Sequence, residues 1–530
     1  MPLFCVSALL RSAIAPVTLP LAGTPVLLTL HDLNWPRAAQ REAEAHFASR
    51  GLALDEPLGK LARTELLIAR ELDARVQTSD MVRAIDRAER AQRLKPVPTE
   101  ALFGFTRLTD AKFSLTPTLL ERLRLSEGAE PAVVEGLSAA LNGQGASEQL
   151  NLDARAADWL TRTLRHQMVF TSQAMGGAGA FCANLAAMQP NVRAAFWALG
   201  GLPPTVAAGM HPQVAVLDEQ GRQRTPRQAV DPAQHDRVNY IAEYSSKAGG
   251  PSGRVILSTP GNQEIGFGTA SDEVLRQTIQ GKQLFFFAGT HYLTRGDLTL
   301  AGELARDLSV MKQANPECLF HLQYVKPKDP ANEKAVMEQV APFVDSMSLN
   351  SVEVPALLEH LEPAYSGPVS GSDREILEKP VNLLAGALQL KQTMGLERVH
   401  VHGREGDLVV ARTPKDKERT VLALMRARQL ASMKATNESG QIARNDEMWP
   451  VLPLVEGKCL AAVQKFADAV QARYGLTESE RVRVARDWYF EDGQGNTIFF
   501  VPSRGIHDRS GGTVSLGDTI DCTALLYSLE

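Results

Sequence analysis

Cysteine is scarce in this chain and poorly placed for cross-linking. Cys5, Cys182, Cys318, Cys459 and Cys522 are an odd number, widely scattered, with no C-x-x-C pair. That speaks against a disulfide framework or a Cys-rich zinc site and for a reducing compartment. Positive charge is not in excess either. Lys+Arg 56 against Asp+Glu 61 gives a net charge of −5, and no concentrated basic stripe is present. Nucleic acid is therefore not expected as a partner. A long uninterrupted apolar run is also missing. Met1–Leu30 carries no acidic residue, but Pro16, Pro20 and Pro25 break it and Arg11 falls inside it. A secretory core or a spanning helix of about 20 residues needs continuity. The expectation is an ordinary cytoplasmic segment and no membrane partner. What remains is a chain of 530 residues, 44% hydrophobic and 22% charged. That is room for about three domains, or for one large α/β domain carrying a smaller one.

The first hundred residues differ from the rest. Arg37–Arg50 and Ser79–Arg93 are rich in Ala, Arg and Glu, with apolar residues such as Met81, Ile85 and Ala88 at helical spacing. They are expected to form a helical extension, residues 1–100, on the surface of a larger body. Pro96 and Pro98 mark the boundary before the apolar stretch Ala101–Phe105. From there, short apolar runs alternate with helical patterns. The runs are Leu284–Ala288, Cys318–Val325, Phe343–Leu349 and Arg398–His402, separated by Thr299–Ala314, Asn332–Val340 and Val381–Thr393. Such alternation predicts crossover units and a mainly parallel sheet. Gln213–Gly268, broken by polar and Gly-rich pieces such as Ala248–Gly253, reads as a smaller β-rich insertion.

Four short segments can carry chemistry. The strand-like Ile498–Val501 is followed by the loop Arg504–Gly512 and by Thr513-Val514-Ser515-Leu516-Gly517-Asp518-Thr519-Ile520, which runs into an apolar helix. A Gly-bearing turn entering a helix presents backbone N–H groups at the positive end of the helix dipole, where a phosphoryl group is stabilised. Asp518 there can take a proton from a hydroxyl; alternatively Gly517 only permits the turn and Asp518 or Thr519 caps the helix. Asn350-Ser351-Val352-Glu353 follows an apolar run. It fits either a divalent-cation site of oxygen ligands or a capping box. Met175-Gly176-Gly177-Ala178-Gly179 allows close approach of a ligand or close helix packing, and no Lys-Ser/Thr follows it as in a Walker A loop. Asp110, after Gly104–Thr109, ends a predicted first strand. It is either a sugar-hydroxyl acceptor or an exposed loop carboxylate. His400 and His402 share one face of a strand, without a third ligand at recognisable spacing, so core or nucleotide-side packing competes with metal binding.

Taken in order, these pieces resemble the ADP-dependent glucokinase/phosphofructokinase family, a branch of the ribokinase-like sugar kinases, from about Leu102 to the end. Gly104–Ala111 is similar to the family's first strand, which makes Asp110 a sugar contact. Gly176–Asn184 is similar to its glycine segment, with Gly176 and Gly177 against the sugar. Asn350–Glu353 resembles its N-x-x-E, associated with magnesium. Arg398–His402 resembles its histidine-bearing strand near the nucleotide, which points to His402. Thr513–Ile520 resembles T-V-G-x-G-D-T-I, which makes Asp518 the base with Leu516 and Gly517 beside it. The resemblance implies a ribokinase-like three-layer α/β domain over 101–530, with a mainly parallel sheet and a β-rich lid formed within 105–175 and 210–270. It implies Mg²⁺ as cofactor, ADP as donor and a sugar or sugar phosphate as acceptor. Three positions depart from the pattern. Gln323 stands for the Glu of H-x-E, Ser515 for the first Gly of G-x-G-D, and Gln263 for the Arg of N-R-F-I. Arg504 or Arg509 is the expected substitute cation, with Arg509 assigned to the nucleotide. The departures leave room for a weakened or non-catalytic descendant, or for an ATP-using kinase. For the acceptor, Lys247, Arg254 and Arg107 are the cations available to a sugar phosphate, and the reading inclines to glucose. Oligomeric state is left open.

Overall fold

Five consecutive apolar residues, Leu284–Ala288, can be satisfied only where both faces of a strand are covered. In the computed structural model they form a central strand. Phe285 and Phe287 enter one core, and Leu284, Phe286 and Ala288 the other. The structure describes residues 18–21, 24–27, 57–142, 149–167, 170–232, 237–244, 253–259, 265–292, 298–327, 329–361, 380–436, 455–503 and 515–529.

The strands in chain order are β1 (Thr18–Leu21), β2 (Thr24–Leu27), β3 (Thr99–Phe105), β4 (Leu108–Ser114), β5 (Gln149–Asn151), β6 (Phe170–Gly176), β7 (Val192–Trp197), β8 (Ala215–Leu217) and β9 (Gln223–Arg224), followed by β10 (Val238–Tyr244), β11 (Gly253–Ser258), β12 (Leu284–Ala288), β13 (Leu319–Gln323), β14 (Ser346–Asn350), β15 (Arg398–His402), β16 (Gly406–Arg412), β17 (Tyr489–Glu491) and β18 (Asn496–Pro502). β1 and β2 make an antiparallel pair of their own. The large sheet has the order β17-β18-β16-β15-β14-β13-β12-β3-β7-β8-β9. Its run from β15 to β8 is parallel throughout, and its two margins are antiparallel. This is the predicted three-layer α/β body. The predicted strands and the helices Leu298–Ala314 and Pro380–Met394 fall where the periodicity put them, within a few residues.

A second sheet, β5-β11-β10-β4-β6, stands apart. Its strands alternate, apart from the buried Ile241 on the polar side. Ala111, Phe113, Tyr240, Ala242, Val255 and Leu257 are buried in a third core with residues of the helices Pro117–Leu125, Pro131–Leu141 and Ala154–His166. Asp110 and Lys112 occupy the alternate positions of β4, beside Asn239 and Ile241 of β10, and Arg254 pairs with Glu243 on the same side of the pleat. One face is thus apolar and helix-covered, and the other carries the charges. Half of the Gln213–Gly268 insertion departs from the expected lid, because β8 and β9 extend the large sheet instead.

The first hundred residues are also more than a surface extension. The helix Thr78–Arg93 buries Met81, Ile85 and Ala88 in the first core of the large sheet, packed on the long helix Lys417–Thr436. The helix Pro57–Leu72 packs on Gly457–Tyr474. Arg37–Arg50 lies outside the described residues. Among the described residues no helix is long and apolar enough to cross a membrane.

Candidate active site

Parallel strands deliver their C-terminal ends to one edge of the sheet, where ligands bind in open α/β folds. Here that edge collects Phe105, Gln323, Asn350 and His402 at the ends of β3, β13, β14 and β15. The helix Leu516–Ser528 begins against them. A Cβ added to Gly517 would lie 4.0 Å from both Gln323 Nε2 and His402 Cδ2, so the turn sits directly over these two side chains. A methyl group at 517 would make only ordinary contacts with them.

The turn itself is entered through Ser515, at φ 57 and ψ 24. This left-handed conformation favours glycine by about 1–2 kcal/mol per residue, which explains why G-x-G-D-like turns begin with glycine. Ser515→Gly should therefore raise the urea midpoint, by roughly 0.5–1 kcal/mol of stability. An unchanged or lowered midpoint would show that the serine hydroxyl, which also bonds Asp518, outweighs the backbone relief.

Asp518 accepts a hydrogen bond from Gln323 Nε2, while Gln323 Oε1 is buried without a partner among the described atoms. Burial raises the Asp518 carboxyl above its ordinary range; the bonds from Gln323 and Ser515 oppose this. One turn later on the same helix, Asp521 is fully buried. Its Oδ2 lies 2.8 Å from His402 Nε2, and its Oδ1 lies 3.0 Å from His400 Nδ1. Asp407 on β16 closes the ring, with Oδ1 3.2 Å from His402 Nδ1 and 3.4 Å from His400 Nε2. Arg428 clamps Asp407 through two bonds of 2.5 Å. His400, His402 and Asp407 are close enough to hold a metal ion. Arg428 and a charged His402 balance the two carboxylates in charge, while His400 Nε2 and Asp521 Oδ1 lie at ion-pair distance without a well-formed hydrogen bond. Burial works against charge on His402, but Asp521 and Asp407 outweigh it and raise the imidazole to about 9. His321 is held between Ser346 Oγ at 2.9 Å and Ser348 Oγ at 3.1 Å, and burial lowers it to about 3, so it is neutral.

The predicted first strand requires a correction. β3 ends at Phe105, and Asp110 sits inside β4 of the second sheet. The chain changes sheet at Thr106–Arg107, where Thr106 O accepts the Ala180 N–H at 2.9 Å and Thr106 Oγ1 the Gly179 N–H at 3.0 Å. Asp110 is only 6% exposed, which disposes of the exposed-loop alternative. Burial, with Asp518 next among the causes that raise it, lifts its carboxyl to about 6 against the pull of Lys434, Lys112 and Arg254. A Cβ on Gly176 would lie 2.5 Å from the Asp110 carboxyl carbon, and one on Gly177, at φ +85, would lie 2.8–2.9 Å from the Thr106–Arg107 backbone. Gly176 makes room for Asp110 itself, and Gly177 for the crossing between the two sheets. Gly176→Ala should leave the fold intact while turning Asp110 aside. The expected rise in acceptor KM is about 10–100-fold, the worth of a hydrogen bond to a charged group; an unchanged KM would remove Asp110 from the acceptor site.

Asn350 and Glu353 form the capping box. Asn350 Oδ1 accepts from the Val352 and Glu353 N–H groups at 2.9 and 3.0 Å, and Glu353 Oε2 accepts from the Asn350 N–H at 2.8 Å. Arg107 is buried and donates to Leu199 O. Arg509, Arg504, Lys247 and Gln263 lie outside the described residues. Sequence reasoning missed Lys112, Asp407, Asp521 and Lys434. Asp521 had a signal, since D-T-I-D puts a second carboxylate one helical turn after Asp518. Lys434 had none; it arrives from a helix without a motif.

The conserved-region model of ADP-specific phosphofructokinase/glucokinase matches residues 132–527. The chain belongs to this family. An ADP-specific phosphofructokinase from Methanosarcina acetivorans is 26% identical over 231 residues, 41% of this chain, and the match spans 43% of that relative's length. Among solved structures, an ADP-dependent kinase in complex with fructose-6-phosphate and ADPβS aligns with a TM-score of 0.67 at 20% identity, covering 85% of this chain and 97% of the other. A hypothetical ADP-dependent phosphofructokinase from Pyrococcus horikoshii OT3 aligns at 0.61 and 17% identity, covering 82% and 99%. The fold is that of these ADP-dependent kinases.

Proposed function

We propose that this protein transfers the β-phosphoryl group of ADP to a hydroxyl of a hexose phosphate of the fructose 6-phosphate type, releasing AMP. The observation that carries the reading is the meeting of Asp110 and Asp518 with Lys112 and Arg254 of the second sheet's charged face. Two carboxylates suit a sugar's hydroxyls, and the cations suit an anionic substituent. This turns the inclination from glucose to a phosphorylated acceptor. Asp518 takes the hydroxyl proton as the new P–O bond forms, and AMP departs with the bridging oxygen. The first N–H groups of the helix, at Leu516, Gly517 and Asp518, lack intrahelical partners by construction and face the developing charge. His402 borders the nucleotide side, with Arg509 as a further phosphate contact. The charged face of the second sheet acts as the lid that excludes water.

Mg²⁺ fits the donors available. Gln323 Oε1 is a buried oxygen without a partner, at the end of the strand next to Asn350 and Glu353, and a hard cation takes oxygen ligands. Glu353 and Asn350, reached through water, would hold it, and bound there it offsets phosphate charge. Gln323 in place of a carboxylate also favours a second reading, a slow kinase or a binding descendant. AMP release from ADP, measured with fructose 6-phosphate, with glucose and with ATP replacing ADP, decides among these. Turnover with ADP and fructose 6-phosphate is expected. Turnover with ATP alone overturns the donor, and tight binding without turnover favours the descendant.

A further inference from the structure

Lys434 lies in the last turn of the helix Lys417–Thr436, is 4% exposed, and holds its Nζ 5.2 Å from the centre of the Phe181 ring. Phe181 belongs to the helix entered through Gly177, and the Lys417–Thr436 helix packs along Leu516–Ser528. Cys182 Sγ, next to Phe181 in the chain, donates to Asp518 O at 3.6 Å and so ties the Phe181 helix to the start of Leu516–Ser528. A lysine is seldom buried this far unless it is paired, and here it lies among the charged groups of the site.

We propose that Lys434 is a catalytic residue whose ammonium contacts the transferring phosphoryl group on the side of the attacking hydroxyl. The inference rests on the phosphotransferase reading above. The positions of the cations carry it. Lys112 and Arg254 stand on the second sheet, with the acceptor; Lys434 stands on the catalytic body, along the helix that bears Asp518. Of the cations among the described residues it acts most strongly on Asp110, and its charge also acts on Asp518. An anionic group arriving between two carboxylates needs a positive charge on the body side, and Lys434 supplies it. The lysine transfers no proton: the hydroxyl proton goes to Asp518, and AMP leaves with the electron pair of the broken P–O bond. A fixed charge where negative charge develops is worth more in a water-poor site than in solvent.

The lysine must be charged to act. Burial lowers it to about 8, Lys112 and Arg254 add to this, and Asp110 and Asp518 oppose it. The Phe181 ring packs against the same ammonium. Turnover of the free enzyme should therefore fall as pH rises through about 8. The experiment uses the full chain with ADP and fructose 6-phosphate. Lys434→Met should lower kcat by about 10²–10³-fold with the KM for fructose 6-phosphate within about threefold. Lys434→Arg should restore part of kcat and move the alkaline limb of kcat/KM upward, since a guanidinium stays charged. A raised KM with kcat retained would place Lys434 on the acceptor's phosphate and overturn the proposal, as would an alkaline limb unmoved by Lys434→Arg. If Lys434→Met fails to fold, the pH profile of the Lys434→Arg variant still decides. Absence of AMP release by the wild type with every sugar and both nucleotides would instead sink the kinase reading on which the proposal stands.

Discussion

Asp518→Asn is expected to lower kcat with ADP and fructose 6-phosphate by about 10³-fold, within the range of a lost general base, while the protein folds and binds both ligands. Asparagine keeps the shape and still accepts from Gln323, so the loss reports on the proton acceptor alone. Retention of near wild-type turnover in the folded variant would show that another group takes the proton. The wild-type profile gives a second check. A base works only when deprotonated. Burial holds Asp518 above the ordinary carboxylate range, so turnover should fall on the acid side above the usual carboxylate titration, while protonation of Asp110 at about 6 should weaken its contact with the acceptor in the same region. Asp518 adds to the rise of Asp110, and Asp521 to that of Asp518; a limb shared by interacting carboxylates belongs to the group as a whole. In Asp110→Asn the limb should move to lower pH, because the carboxyl held at about 6 is gone; an unmoved limb would separate the two sites.

The body of the fold was legible because its signals are local. Leu284–Ala288 and Arg398–His402 are strands whose burial on both faces leaves a continuous or β-branched apolar run, and helices of ordinary length separate them. The second sheet was harder to see. Its residues come from both sides of β7, and strand exchange between sheets at Thr106–Arg107 depends on a glycine approach seventy residues away, which no window along the chain detects. The same limit applies to the site. Asp518 and Gly517 were visible because a helix start concentrates its chemistry in four residues. Asn350 and Glu353 read first as a cap and only second as cation ligands, and the capping bonds are made. Lys434, Asp407 and Lys112 carry no pattern, since their place in the site is set by packing across distant elements.

The ring of His400, His402, Asp407 and Asp521 should make both stability and activity depend on charge behind the catalytic turn. His402 is raised from 6.5 to about 9. Its contribution is fully present below pH 6.5 and is lost as pH rises through 9; a shift of this size corresponds to about 3 kcal/mol. Asp407 and Asp521 are held well below the carboxylate range, although burial alone would raise them. Their contribution is present above about pH 4 and is lost as pH falls through their folded values. Lys434 acts with the opposite sign to His402 between about 8 and its unfolded value of 10.5. The His402 effect must therefore be read as a difference between proteins. Asp521→Asn leaves an imidazolium with one partner fewer and should cost about 3–5 kcal/mol at pH 7, as breaking a buried pair does. In urea unfolding at pH 7 and pH 9.5, the gap between wild type and variant should shrink at the higher pH, where His402 has lost its proton in both. A gap that stays constant would mean that Asp521 acts through packing or through His400. Because Asp521 lies one turn from Asp518, the variant should also lower kcat even where it is fully folded, since the helix that carries the base is then tied less firmly to His402.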